Sequence, residues 1–371
     1  MIRRTNTDVP RGGGYPQIGA IAAITWLLLI PALRAAEPPG LQVDKDGTVH
    51  VPAHQVPLSN YLSEEARRAY LDKIRPIQPL PNASAEEQAK LWSEIFFEPR
   101  LERAKRNYSV TISQESLGGV RVDVVTPLEK IPSRNRARVL IELHGGTLTG
   151  GYGNTSALIE SIPVAALGKI KVIAVDYGKG PEDRFPRASE DVTAVYRELL
   201  KRYKPRNIGI YGCSAGGMLT GMELAWLQGQ NLPRPGAAGI FCAPAAAIFG
   251  GDSRYFAAPL MAEAPPPAQP NPVPLPLDYL SQADLNDPLV SPLSSPAVLA
   301  EFPPTLLITG TRSYELSSVV FTHRQLIKAG VTAELHVWDG MWHGFLYDVQ
   351  LPESQEAFGV MVRFFDRYLG T

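Results

Sequence analysis

The stretch Gly212-Cys213-Ser214-Ala215-Gly216 decides the fold. It follows the short apolar segment 207–211 and precedes residues 217–227, whose apolar side chains recur at helical spacing. The pattern predicts a buried strand, a tight turn that presents a serine, and a helix, which together are typical of a nucleophile elbow. The glycines permit the sharp bend, and the helix start supplies N–H groups to a developing oxyanion. The alternative is an ordinary glycine-rich turn without chemistry.

Seven other segments have the character of strands, and together they predict the architecture. Two of them, 108–112 and 120–125, alternate in polarity and are joined through a Gly-Gly pair, which favours an antiparallel arrangement. Apolar strands separated by helices, such as those predicted over 188–203 and 317–329, indicate a sheet covered on both faces. We therefore predict an α/β fold with a mostly parallel eight-stranded sheet flanked by helices, its remaining strands lying at 139–143, 172–175, 208–211, 239–241, 305–308 and 333–338.

The amino-terminal segment has the features of an export signal. Three arginines precede a mostly apolar run over 18–33, and two alanines follow it. We predict a signal peptide over residues 1–36 and a periplasmic or secreted protein, with an uncleaved membrane anchor as the alternative. Residues 37–107 are predicted to hold a linker and two helices, the second of which opens at Ser84, and residues 108–371 form the main domain.

Composition narrows the classes of function. The chain of 371 residues carries a net charge of −1 without a long basic stripe, which argues against nucleic acid or an acidic membrane as a partner. Its two cysteines, Cys213 and Cys242, are too few for a disulfide framework, although a bond between them stays open as an alternative. His50 and His54 have a metal-ligand spacing, but Pro52 between them argues against a helix, so we expect a surface loop and no metal.

The candidate base is His343. A serine hydroxyl becomes a nucleophile when a base removes its proton, and histidine is the usual base because it titrates near neutral pH. His343 lies in the segment 339–345, which we place in the loop after the last strand, at the edge where sites assemble in parallel α/β sheets. His323 is predicted on a helix and His336 within a strand, so both fit the role less well. The alternative for His343 is a loop histidine packed among aromatic residues.

A second glycine-rich segment, Leu143-His144-Gly145-Gly146-Thr147, follows the third predicted strand. A tetrahedral intermediate needs N–H donors for its negatively charged oxygen, and a strand–turn–helix serine site takes one of them from a loop in this position. We assign the oxyanion hole to Gly145, Gly146, Thr147 and Ala215, with the backbone N–H groups of the last three as donors.

These motifs resemble those of the hormone-sensitive-lipase-like branch of the α/β-hydrolases, the bacterial family IV esterases. His144-Gly145-Gly146-Thr147 is similar to the family's His-Gly-Gly-Gly loop, and residues 212–217 are similar to its Gly-Asp-Ser-Ala-Gly-Gly elbow. The resemblance implies a helical cap built partly from the amino-terminal segment, carboxylic esters with short to medium acyl chains as substrates, and no cofactor. Further landmarks, over a match of roughly residues 60–370, are Val175-Asp176-Tyr177, Gly180-Pro181-Glu182, Phe185-Pro186, Asp287-Pro288, Ser291-Pro292 and Gly340-Met341-Trp342-His343.

The sequence departs from the family pattern at three places. Thr147 stands where a third glycine is usual, and Cys213 replaces the usual aspartate beside the nucleophile. The family's catalytic aspartate usually lies a few residues after the seventh strand, where this chain has Ser313. Glu315 is the sole carboxylate in the loop 310–316, and glutamate serves as the acid in this fold, so we assign the third catalytic role to it. The alternative is a solvated or helix-capping glutamate.

Other acidic residues fit the catalytic role less well. We interpret Asp176 and Glu182 as structural residues that order the loop after the fourth strand, and Tyr177 as either part of that loop or a pocket-lining residue. Three aspartates precede the seventh strand and are therefore expected toward the opposite edge of the sheet: Asp278, Asp284 and Asp287.

Together these residues predict a serine carboxylesterase in which Ser214 attacks the ester carbonyl, His343 moves the proton and Glu315 orients the imidazole. The expected partner is a small-molecule ester, bound between the cap and an exposed, proline-dense insertion near 259–276; a homodimer stays open. The rivals are a non-catalytic binding protein on a hydrolase scaffold and an enzyme that hydrolyses another acyl bond, such as an amide or a lactone.

Overall fold

The structure, a computed structural model, describes residues 40, 42–75, 85–146, 148, 154–180, 182–266, 273–274 and 278–370. The predicted signal peptide over 1–36, Ser84, Thr147 and part of the proline-dense stretch lie outside these residues. The chain divides into two units, Met1–Val56 and Pro57–Thr371. In the described ranges, no helix combines the length and the apolar character needed to cross a membrane.

The first unit contains one small antiparallel pair of strands, Gln42–Val43 and Val49–His50. His50 Nε2 lies 2.8 Å from Asp44 Oδ2, whereas His54 Nδ1 lies 3.0 Å from the backbone oxygen of Pro52. The two histidines are exposed and have separate partners, and the residues that the structure describes include no cluster of three or more His, Cys, Asp or Glu side chains suited to a metal ion.

The central sheet of the second unit has eight strands, which are β1 Val110–Leu117, β2 Val120–Pro127, β3 Val139–Leu143, β4 Lys171–Val175, β5 Ile208–Cys213, β6 Ala237–Phe241, β7 Thr305–Arg312 and β8 Ala333–Trp342. Their order across the sheet is β8-β7-β6-β5-β3-β4-β2-β1. Strand β2 runs antiparallel to both of its neighbours, and the other pairs are parallel. The predicted mostly parallel eight-stranded sheet is therefore confirmed.

Helices cover both faces of the sheet, which explains why β3, β5 and β6 are buried along their whole length. The helices are α1 Glu64–Lys73, α2 Ala85–Trp92, α3 Glu98–Asn107, α4 Ser133–Arg136, α5 Thr155–Gly168, α6 Arg187–Leu200, α7 Ala215–Gly229, α8 Ser253–Leu260, α9 Pro296–Ala300, α10 Leu316–Lys328 and α11 Pro352–Tyr368. A π-helical turn, Ser93–Phe97, connects α2 to α3. One apolar core joins the sheet to α6, α7 and α10, and the other joins it to α1, α3, α5 and α11.

Strands β7 and β8 are longer than the sequence predicts. They pair in register from Thr305 and Ala333 onward, the register shifts between Gly310 and Arg312, and Arg312 then pairs with Trp342. Residues 339–342 consequently belong to β8 rather than to a loop, and His343 is the first residue beyond the strand. This irregularity places both the acid segment and the histidine at one edge of the sheet.

Candidate active site

The predicted strand, turn and helix around Ser214 are all present as β5, a one-residue turn and α7. Ser214 has φ 59° and ψ −123°, a left-handed conformation that costs a non-glycine residue on the order of 1–3 kcal/mol. Its N–H donates to the backbone oxygen of Phe241 at the end of β6, which fixes the turn. A Cβ atom on Gly216 would lie 1.7 Å from the backbone oxygen of Leu143, so this close approach of helix and strand requires glycine.

Three side chains from distant parts of the chain meet at this turn. Ser214 Oγ lies 2.9 Å from His343 Nε2, and His343 Nδ1 lies 3.0 Å from Glu315 Oε2. The carboxylate can only accept a hydrogen bond, so Nδ1 carries the proton, which leaves Nε2 unprotonated and oriented toward the serine hydroxyl. The geometry is that of a hydroxyl, a base and an acid in series.

Glu315 is fully buried, with 0% of its surface exposed. It is the N-cap residue of α10, yet its side chain makes no capping hydrogen bond. Its second oxygen, Oε1, accepts hydrogen bonds from Thr309 Oγ1 at 3.1 Å and from Ser313 Oγ. The side chain is thus neither solvated nor a helix cap, and both alternatives raised from the sequence are wrong for it.

Sequence reasoning missed Tyr314, whose ring lies against the base. The ring centroids of Tyr314 and His343 are 4.8 Å apart, and those of Tyr314 and Phe249 are 5.5 Å apart. Burial raises the pKa of Tyr314, so its hydroxyl stays protonated beside the site. The signal in the sequence was an aromatic residue inside the acid-bearing segment 310–316.

The glycine-rich segment 143–146, called the oxyanion loop after its predicted role, lies directly against the elbow. A Cβ atom on Gly145 would be 3.4 Å from Ser214 Cβ. The backbone oxygen of Gly145 accepts hydrogen bonds from Ser156 Oγ at 3.2 Å and from His144 Nδ1 at 2.8 Å. Because a peptide unit is planar and trans, holding this oxygen also fixes the direction of the Gly146 N–H. Ala215 is the first residue of α7, whereas Thr147 lies outside the described residues.

His144 supports this loop as a neutral imidazole. Burial lowers its pKa to about 3, and the Lys179 ammonium, 3.4 Å from Nε2, lowers it further. The Tyr177 ring stacks on the imidazole with a centroid distance of 4.0 Å, and the Tyr177 hydroxyl donates to the backbone oxygen of His144. Because Tyr177 is 1% exposed, it supports the loop from behind and does not line a pocket.

The other candidate acids have local partners. Asp176 lies 2.7 Å from Lys179 Nζ; burial raises its pKa, but Lys179 and the other positive groups outweigh this and the net shift is downward. Asp284 and Asp287 accept from backbone N–H groups two residues later, in local turns. The expectation for Asp278 was wrong. It lies beside Gly180 in the loop after β4, because the following residue, Tyr279, accepts a hydrogen bond from the Phe185 N–H there.

Cys213 and Cys242 are both free thiols and both buried. The alternative of a disulfide between them is therefore wrong for this structure. They end adjacent strands, where a small apolar side chain fits the core, and burial raises the pKa of the Cys213 thiol.

A buried arginine beside the acid segment ties the surrounding helices together. Arg312 Nη1 donates to the backbone oxygen of Leu260 at the end of α8, and Nη2 donates to that of Pro57, both at 3.1 Å. Its guanidinium lies 5.0 Å from the centroid of the Tyr70 ring on α1, and the Tyr70 hydroxyl also donates to Leu260. This contact could not be predicted from the sequence, because its partners are backbone atoms remote along the chain.

The sheet order, the elbow and the hydroxyl–imidazole–carboxylate series at the carboxyl ends of the strands together define an α/β hydrolase. A family model described as alpha/beta hydrolase fold matches residues 140–347, and the chain belongs to that family.

Related proteins agree with this assignment. An acetyl-hydrolase of Streptomyces hygroscopicus is 29% identical over 260 residues, which cover 67% of this chain and 84% of that protein. An esterase of Acinetobacter venetianus is 28% identical over 273 residues, covering 70% and 83% respectively. The crystal structure of an esterase, E25, is 29% identical, has a TM-score of 0.70 and covers 86% of this chain and 99% of its own. An esterase of the bacterial hormone-sensitive lipase family shares the fold at 24% identity, with a TM-score of 0.70 and coverage of 83% and 99%. The predicted family and the predicted class, a carboxylic ester hydrolase, are confirmed.

Proposed function

We propose that this protein is a serine esterase in which Ser214, His343 and Glu315 form the catalytic triad. The observation that carries the proposal is the unbroken series of contacts, 2.9 Å from hydroxyl to imidazole and 3.0 Å from imidazole to carboxylate. Each distance lies in the range over which a proton is shared or transferred.

The reaction follows from these positions. Ser214 Oγ attacks the ester carbonyl while His343 Nε2 takes its proton, and Glu315 stabilises the imidazolium that results. The N–H groups of Gly146, Thr147 and Ala215 stabilise the negative oxygen of the tetrahedral intermediate. His343 then protonates the leaving alcohol, and an acyl-enzyme remains on Ser214. Water, activated by the same imidazole, releases the acid and restores the serine.

The replacement of the usual aspartate does not favour a non-catalytic scaffold. Glu315 reaches His343 with one oxygen, and two hydroxyl groups hold the other oxygen. A buried carboxyl that contacts Nδ1 and is held by two further hydrogen bonds can orient the imidazole as the triad requires, and this speaks against the binding-protein rival.

We further propose short- to medium-chain carboxylic esters as substrates, with residues 57–107 contributing a cap. The relatives named acetyl-hydrolase and esterase support the ester class. Residues 1–36 contain three arginines, then an apolar run, then two alanines. This pattern supports a signal peptide and a periplasmic or secreted location.

Chromogenic esters test the function. Purified wild type is expected to hydrolyse p-nitrophenyl acetate and butyrate, and Ser214→Ala is expected to lose at least about 10⁴-fold in kcat. Ser281→Ala changes an exposed serine that donates only to a neighbouring backbone oxygen, and it is expected to match wild type. Equal rates for wild type and Ser214→Ala would favour the binding-protein rival, and faster turnover of matched amides or lactones would favour the other-acyl rival.

A further inference from the structure

Two glutamates are buried behind the oxyanion loop. Glu142 belongs to β3 and is 0% exposed, and Glu160 belongs to α5 and is 3% exposed. The Tyr347 hydroxyl lies in the same region. Within the described residues, none of their side-chain oxygens has a hydrogen-bond partner of standard geometry. Buried carboxyls without a cationic partner avoid the cost of charge burial by keeping their protons.

The buried region that holds these two glutamates adjoins the oxyanion loop of the proposed esterase at Gly145. A Cβ atom on Gly145 would lie 2.1 Å from the Tyr347 hydroxyl and 3.0 Å from the backbone oxygen of Cys213, so the loop is held between them. Ser156, which donates to the Gly145 oxygen, precedes Glu160 by one turn on α5. One face of this helix therefore presents both side chains to the loop.

The electrostatics identify which member of the pair ionises first. Burial raises the pKa of Glu160 to about 8, although the Tyr347 hydroxyl, the Glu142 carboxyl and the backbone N–H groups of Gly145 and Cys213 lower it. Burial and the neighbouring Glu160 also raise the pKa of Glu142 well above its usual value. Two adjacent buried carboxylates repel each other, so the pair takes a single negative charge as the pH rises, and the groups that favour the ionised form of Glu160 place that charge there.

The other titratable groups that act on Glu160 stay uncharged in the same range. They come from the loop after β4, from β5 and from the turn after β8, and burial raises the pKa of each: Tyr177, Tyr211, Cys213 and Tyr347.

We propose that Glu160 is a positioning residue for ester hydrolysis: its protonated carboxyl, buried beside Glu142, keeps the region behind the oxyanion loop uncharged, and its ionisation switches the site off. The inference rests on the proposed function. Its physical reason is that the tetrahedral intermediate places a negative charge on the N–H groups of Gly146 and Ala215. A second negative charge behind the same loop, in a medium of low dielectric, opposes that charge.

The test is the pH dependence of kcat/KM for the full chain with p-nitrophenyl butyrate, corrected for spontaneous hydrolysis. Wild type is expected to lose activity by about tenfold per pH unit above pH 8, as one deprotonation demands. Glu160→Gln keeps a neutral, hydrogen-bonding side chain, so it is expected to retain at least about one tenth of the activity at pH 7 and to stay level for one further pH unit or more.

Glu223→Gln is the matched control. Glu223 is likewise fully buried with a pKa raised by burial, but it lies within α7 and accepts from Thr193, and its variant is expected to follow the wild-type profile. Tyr347→Phe removes a hydroxyl that favours the ionised form of Glu160, so its decline should move to higher pH. This second variant decides the question if Glu160→Gln fails to fold by circular dichroism.

Two results would overturn the inference: a decline in folded Glu160→Gln at the same pH as in wild type, or a wild-type profile without a decline up to pH 9. Absence of wild-type hydrolysis at pH 7 is a different result and would reject the proposed function itself.

Discussion

At the scale of the residue, the proposed acid of the triad depends on side-chain length as well as on charge. Glu315 lies two positions beyond Ser313, where related enzymes are expected to carry aspartate, and it still brings Oε2 within 3.0 Å of His343 Nδ1. Ser313 has not lost its part in the site, since its hydroxyl donates to the other oxygen of the same carboxylate.

This arrangement predicts very unequal effects at neighbouring positions. Glu315→Gln is expected to lower kcat by about 10⁴, because an amide that donates to Nδ1 imposes the wrong imidazole tautomer. Ser313→Ala leaves the hydrogen bond from Thr309 in place and is expected to cost about tenfold or less. Steady-state kinetics on a p-nitrophenyl ester measure both. A Glu315→Gln enzyme with near wild-type kcat, or a Ser313→Ala enzyme as damaged as Glu315→Gln, would contradict the assignment.

The sequence was sufficient to select Ser214, His343 and Glu315, the three side chains that the structure brings together, because their order and their places after strands follow from the fold. It could not identify Thr309, Tyr314 or Arg312 as supporting residues. Arg312 lies opposite Trp342 because of the register shift between β7 and β8, and it contacts backbone atoms far along the chain. Thr309 and Tyr314 contact side chains that no periodic pattern brings to them.

At the scale of the element, α7 and β3 approach so closely that one methyl group should separate them. Gly216→Ala would place a Cβ atom 1.7 Å from the Leu143 oxygen, so either the helix or the oxyanion loop must move. We expect a large loss of activity together with a lower midpoint of urea unfolding. Gly229→Ala, at the other end of the same helix, meets only a Leu289 methyl group at 3.6 Å and should leave both unchanged or slightly raise stability. Equal behaviour of the two variants would show that the close approach is unimportant.

The contacts of Arg312 give a second prediction at this scale. Arg312→Met keeps much of the apolar volume but removes two charged hydrogen bonds to the backbone of Leu260 and Pro57. We expect a loss of about 2–4 kcal/mol in the free energy of unfolding, because two hydrogen bonds from a charged donor are lost. Arg136→Met, at the end of the short helix α4, is the exposed comparison. Urea denaturation measures both, and equal stabilities would contradict the role assigned to Arg312.

The boundaries of elements were predictable to within three residues where apolar periodicity was strong, as for α6 and α10. The carboxyl ends of β7 and β8 were not, since Thr309 to Arg312 and Asp339 to Trp342 contain glycine and polar residues that are typical of loops. Those ends pair through a bulge, and pairing across a bulge leaves no periodic trace in one sequence.

At the scale of the whole molecule, two buried groups contribute opposite trends to the dependence of stability on pH. Glu160 has a pKa of about 8 when folded against a usual value of 4.5, so the folded state keeps a proton that the unfolded state releases. The contribution of Glu160 to the free energy of unfolding therefore decreases as the pH rises from about 4.5 to 8. His144 has a pKa of about 3 against 6.5, so stability weakens as the pH falls through that interval.

Between pH 6.5 and 8 the contribution of His144 to the free energy of unfolding is constant, whereas that of Glu160 decreases. Wild type is expected to lose free energy of unfolding over this range, and Glu160→Gln should lose less, by up to about 1.4 kcal/mol per pH unit. Urea unfolding at several pH values measures the difference. Parallel curves for the two proteins would show that Glu160 is already ionised in the folded state.

The central claim, that Ser214 carries the acyl group during turnover, can be measured directly. Wild type is mixed with p-nitrophenyl butyrate, quenched in acid within milliseconds to seconds, digested and examined by mass spectrometry. A butyryl group on the peptide that contains Ser214, formed at a rate consistent with kcat and absent from Ser214→Ala, is the predicted result. Full turnover by Ser214→Ala, or a kinetically competent butyryl group on a different residue, would contradict the account.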